Sequence, residues 1–170
     1  MKRLRAPLGA VALLALTSTP AAAVSPSAQA NATAKIYKPL TISKTQDLNF
    51  GTIVLVGASF VNETVTVSTT GTVTCGTGGG NLTCGGTPTA AKFHLVGSNN
   101  AAVTVNSPAF NLTGPGTLAV TPSLTTQNLN LGATGNTAGI DVPLGASITL
   151  SSSTPDGVYT AIWTVTADYQ

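Results

Sequence analysis

The chain has 170 residues and a net charge of +2; 42% of it is hydrophobic and only 7% charged. That length supports one core of ordinary size rather than several. Seven lysines and arginines without an arginine stripe exclude a nucleic-acid surface, which needs clustered cations to neutralise phosphates.

The first predicted element is a leader. Lys2, Arg3 and Arg5 form a basic start, Leu8 to Leu16 is apolar but too short to cross a bilayer, and Pro20-Ala21-Ala22-Ala23 offers a small-residue cleavage site. Residues 1–23 are therefore expected to be a signal peptide, with Ala28-Gln29-Ala30 as a second place to cut. The leader holds three basic residues and no acid, so subtracting three from +2 leaves −1 for the remainder. No other apolar run reaches transmembrane length, which implies export without membrane insertion.

Residues 24–37 form an N-terminal extension with strict alternation. The even positions are Val24, Pro26, Ala28, Ala30, Ala32, Ala34 and Ile36, and the odd ones from Ser25 to Lys35 are all polar. Period-two alternation places the apolar set on one face of a strand. Two readings follow: a strand that pairs outside its own domain, or an Ala/Ser-rich spacer.

Residues 38–170 read as one all-β domain. Strands are expected at Leu40–Ser43, Leu48–Leu55, Val61–Ser68, Thr72–Cys75, Ala91–Val96, Ala102–Val105, Thr117–Thr121, Ile140–Val142, Ser147–Leu150 and Val158–Tyr169. Turns rich in Gly, Pro, Asn and Ser separate them, the strongest being Thr154-Pro155-Asp156-Gly157. No segment after the leader has a helical apolar stripe. Many short strands at this spacing predict a two-sheet antiparallel β-sandwich of immunoglobulin type.

Catalytic chemistry has few candidates. The acids are Asp47, Glu63, Asp141, Asp156 and Asp168, with no paired motif among them. His94 is the single histidine and no Gly-x-Ser-x-Gly elbow is present, so a serine hydrolase is not expected. The glycines Gly76 to Gly80 lack a following Gly-Lys-Ser/Thr, which excludes a phosphate-binding P-loop. Cys75 and Cys84 are the only cysteines; in an exported chain they predict a disulfide, with metal binding and redox chemistry as the weaker alternatives. The reading is of a non-enzyme with no cofactor and no metal.

The last fourteen residues carry the clearest pattern. After Gly157, the apolar residues Tyr159, Ala161, Trp163, Val165, Ala167 and Tyr169 alternate with mostly polar ones. A sandwich lacking one strand would expose core and unpaired backbone along a groove. A segment from a second molecule could fill it, and the same contact repeated head to tail gives a filament.

The glycine fourteenth from the end, the tyrosine next to last and the alternation between them resemble the C-terminal motif of chaperone–usher pilus subunits, most nearly the archaic type. The tract from Ile36 to Ile53, with Leu40-Thr41-Ile42 and Asp47-Leu48-Asn49-Phe50-Gly51-Thr52-Ile53, is similar to the bacterial domain-of-unknown-function family 4402. The resemblance implies an incomplete immunoglobulin-like sandwich with an N-terminal donor strand, assembled into a fimbrium on the cell surface after passage through the periplasm. It implies three partners: further copies of the same subunit, a periplasmic chaperone and an outer-membrane usher. Val24, Ala28, Ala30, Ala32, Ala34 and Ile36 would be the donor knobs. Gly157, Tyr159, Ala161, Trp163, Val165, Ala167 and Tyr169 would form the strand that faces the core or the chaperone. The rival reading is a secreted, non-polymerising β-sandwich that binds a ligand through its loops.

Overall fold

The computed structural model describes residues 24–170, so the expected leader lies outside the described residues. Thirteen strands follow in chain order, with no helix among the described residues: β1 (Thr41–Gln46), β2 (Thr52–Leu55), β3 (Glu63–Val67), β4 (Val73–Cys75), β5 (Leu82–Gly85), β6 (Ala91–Val96), β7 (Ala102–Asn106), β8 (Phe110–Thr113), β9 (Thr117–Pro122), β10 (Thr126–Asn130), β11 (Ile140–Leu144), β12 (Ala146–Leu150) and β13 (Thr166–Tyr169). They pair in the orders β1–β6–β11, β10–β7–β13, β4–β3–β12–β9–β8 and β2–β5, all antiparallel. The β-branched runs Thr64-Val65-Thr66-Val67 and Val103-Thr104-Val105 put valines inward and threonines outward, the alternation a half-buried strand requires.

Register joins these short pieces into longer ribbons. Thr41 pairs with Val96, Asn49 bridges Thr89, and Leu55 pairs with Leu82. The chain from 41 to 55 therefore runs as one ladder against 82 to 96, bent by a bulge between Lys44 and Gln46. Another strand changes layer. β11 pairs with β6, whereas β12, one residue later, pairs with β3 and β9. The switch falls at Gly145, where a Cβ would collide with the Val67 carbonyl oxygen.

Two apolar clusters form the interior of a β-sandwich. One gathers Phe93, Leu95, Val103, Val105, Val142 and Leu144 between the β1–β6–β11 and β10–β7–β13 sheets. The other gathers Phe50, Phe60, Val65, Val120, Ile148 and Leu150 between the five-stranded sheet and the β2–β5 ribbon. Lys35–Gln170 make one compact unit, and Cys75 and Cys84 are joined in a disulfide with a Cα–Cα separation of 5.8 Å. This bond ties β5, and with it β2, to β4.

Two expectations need correction. β5, β8 and β10 lie where no strand is expected. The strand expected over Val158–Tyr169 is regular only in β13; before that it makes a single bridge, Thr160 to Thr113. Between that bridge and the pair Thr166–Asn106, the terminal segment spans six steps and its partner seven. The extra residue falls around Pro108, which has no N–H to donate, and Trp163 Nε1 donates to the Pro108 carbonyl at 3.0 Å instead. Residues 24–34 are exposed and pair with no strand of their own chain among the described residues.

Candidate functional site

A groove of ≈1090 Å³ runs between two chain segments that border different sheets. One wall is the stretch from Lys44 to Leu55, including β2, and the other is the stretch from Thr154 to Trp163. The floor is core: Phe93, Phe110, Leu112, Leu118, Ile148 and Leu150 all line it. Phe110, Leu112 and Leu118 are only half-buried although they point into the second apolar cluster. Core side chains left half-covered are what a missing strand leaves behind.

Both walls are sheet edges. β2 pairs with β5 on one side and with no strand on the other among the described residues. On the opposite wall, Thr160 exchanges both backbone bonds with Thr113 at 2.9 Å, and no strand pairs with this segment on the groove side among the described residues. An edge with unpaired N–H and C=O groups beside apolar side chains is a template for strand addition.

Local sequence builds the terminal wall. Gly157 has φ +144, and a Cβ there would stand 2.5 Å from Pro115 Cγ, so the chain can enter the wall only through glycine. Tyr159 is anchored by its hydroxyl, which donates to the Pro155 carbonyl at 2.7 Å. Trp163 stacks on Phe110 with ring centroids 5.0 Å apart and meets Phe93 edge-on at 6.0 Å. Gly157, Tyr159, Ala161 and Trp163 thus line the groove, with Ala161 itself exposed. Val165, Ala167 and Tyr169 lie beyond it and pack on the first core cluster. Tyr169 stacks on Tyr37 at 4.3 Å.

The groove offers no reacting constellation. Its ionisable groups are Lys44, Asp47, Asp156 and Tyr159, and Lys44 Nζ lies 2.6 Å from Asp47 Oδ1 with both side chains largely in solvent. His94 is placed elsewhere, across β6–β11 from Asp141, with Nδ1 2.6 Å from Oδ1. What the groove can do is bind an apolar strand through backbone bonds and small pockets.

The disulfide loop beside β5 is ordered by one acid. The Glu63 carboxylate is buried and accepts bonds from Asn81 Nδ2 at 2.8 Å, the Thr77 amide at 2.6 Å and Thr77 Oγ1 at 2.9 Å. Those donors, Asn81 first, hold its pKa below the ordinary carboxylate value. The Asn81 carbonyl in turn accepts from the Val56 and Gly57 amides, so the loop also fixes the end of β2.

Residues 40–169 match the model of a family described as "Domain of unknown function (DUF4402)". The chain belongs to the DUF4402 family. No curated protein and no solved structure matches it. In this DUF4402 chain the matched region contains both groove walls and the floor, and it starts after the alternating segment Val24–Ile36. The wall from Lys44 to Leu55 and the floor residues Phe110, Leu112 and Leu118 are site residues that sequence reasoning missed. Their signal was the short β-prone run Thr52-Ile53-Val54-Leu55 and the alternation in Phe110-Asn111-Leu112.

Proposed function

We propose that this chain is a pilus subunit, an incomplete immunoglobulin-like sandwich that polymerises by donating residues 24–36 to the groove of the next copy. The observation that carries the reading is an apolar groove with an unpaired sheet edge on each wall, in a chain that also carries an exposed alternating segment. The dimensions agree. Thirteen extended residues span roughly 43 Å, and the wall from Lys44 to Leu55 spans roughly 40 Å at the same rise.

The chemistry agrees as well. Val24 and Ile36 are each 89% exposed and would each gain about 1.5–3 kcal/mol from full burial. The four alanine methyls would add about 0.8 kcal/mol apiece. Backbone pairing with both edges supplies the rest of the hold. A periplasmic chaperone would cover the same groove before assembly, and an outer-membrane usher would order the exchange at the cell surface.

The test is to replace Ala30 and Ala32 by aspartate in the full chain. Two carboxylates cannot enter an apolar groove without a large desolvation penalty. The expected result is folded monomers and no polymers. Polymers equal to those of the parent chain would refute donation by this segment, and a parent chain that forms no polymers at all would favour the secreted, non-polymerising reading.

A further inference from the structure

A donor segment joined covalently to its own groove poses a problem of mass action. A flexible tether holds its end at an effective concentration near the millimolar range, far above any micromolar concentration of other subunits. The segment Val24–Ile36 joins β1 only a few residues before Lys44, where the groove begins. If the chain could reverse between Ile36 and Thr41, the segment would fill its own groove and polymerisation would stop.

The residues at that joint resist reversal. The Tyr37 ring stacks on Tyr169 with centroids 4.3 Å apart and planes inclined by 16°. Tyr169 Oη donates to the Lys38 carbonyl at 2.8 Å and accepts from the Ser98 amide at 2.7 Å. The Lys38 amide donates to Ser98 Oγ. Both backbone groups of Lys38 are thus held, and Pro39 restricts Lys38 to extended conformations. Gly97 leaves room for the assembly, since a Cβ there would collide with the Tyr169 hydroxyl. Ile36, immediately before the clamp, is 89% exposed, and β1 pairs with β6 alone among the described residues.

We infer that Tyr37 and Tyr169 form an exit clamp that denies the N-terminal segment its own groove and so reserves it for a second copy of the chain. The inference rests on the donor-strand reading above and adds to it a role for two positioning residues outside the groove. It also gives the next-to-last tyrosine a task distinct from lining the groove. The Tyr37 hydroxyl has no hydrogen-bond partner among the described residues, so the ring does the work on that side.

The test uses the full chain, expressed from Met1, and three variants: Tyr37→Ala, Tyr37→Phe, and an insertion of about eight Gly/Ser residues between Ile36 and Tyr37. The insertion leaves the clamp intact and supplies slack for reversal. Light scattering reads the polymer fraction, and uptake of a labelled peptide of residues 24–36 reads whether monomer grooves are open. The parent chain and Tyr37→Phe are expected to polymerise, and their monomers to take up peptide. Tyr37→Ala and the insertion are expected to lose polymer about a hundredfold and to yield folded monomers that refuse the peptide. If Tyr37→Ala does not fold, the insertion decides. Insertion or Tyr37→Ala chains that polymerise like the parent, with peptide-accepting monomers, overturn the clamp and leave donation standing. A parent chain that neither polymerises nor takes up peptide overturns donation and the clamp together.

Discussion

Removing the Cys75–Cys84 bond tests how the groove wall is held. Among the described residues β2 has one strand partner, β5, and β5 is bound to β4 through this disulfide. The cross-linked residues are separated by 9 positions in sequence. For a loop of that length the chain-entropy relation gives about 2.6 kcal/mol of stabilisation at 25 °C. The perturbation is Cys75→Ala with Cys84→Ala, which breaks the cross-link without leaving a polar group in the half-buried site. With a urea m-value of roughly 1.7 kcal/mol/M, the unfolding midpoint should fall by about 1.5 M. The groove should suffer in parallel, because the β2–β5 ribbon loses its covalent tie to β4. Uptake of a peptide of residues 24–36 by monomers is therefore expected to weaken along with stability. A midpoint within about 0.3 M of the parent, with unchanged peptide uptake, would refute the claim that the disulfide holds this wall.

Three further outcomes are expected. Because Glu63 has a lowered pKa in the folded chain, its contribution is present above the ordinary carboxylate value of 4.5 and is lost as pH falls through the folded value; unfolding midpoints across pH 7 to 3 should decline on the acid side, and Glu63→Gln should flatten that decline. Trp163→Ala removes the stack on Phe110, the edge contact with Phe93 and the bond to Pro108 from a half-buried ring, and should reduce stability by about 2–3 kcal/mol in urea titrations. Gly157→Ala forces a side chain into Pro115 at φ +144 and should lower stability by about 1–3 kcal/mol, read as a shift in melting temperature.

The interior was legible in the sequence because it is built from apolar–polar alternation. Glu63–Val67, Ala91–Val96 and Ala102–Asn106 show it plainly, and each forms a strand close to the expected bounds. The strands that sequence reasoning missed lack that signal. Thr126–Asn130 has a single apolar residue, Leu129, because it is a sheet edge; Leu82–Gly85 sits between glycine-rich turns; and Phe110–Thr113 follows the Pro108 irregularity. The alternation of the terminal segment survives as alternating burial from Trp163 to Tyr169. Its continuous pairing does not survive, because Pro108 on the neighbouring segment has no N–H to offer, and the terminal sequence carries no sign of a proline opposite it. Half of the groove was legible, the wall opened by Gly157. The opposing wall was hidden, since the apolar run at Thr52–Leu55 looks like any buried strand and only the topology shows that one of its sides is unpaired among the described residues.

Backbone amide hydrogen exchange tests the central claim most directly. It would be followed across Thr52–Leu55 and Val158–Thr164 in full-chain monomers, before and after adding a peptide of residues 24–36. Strand addition protects the amides of both walls in the same experiment, and the account expects slowed exchange in both segments together. Unchanged exchange in both, or protection confined to loops away from the groove, would contradict it.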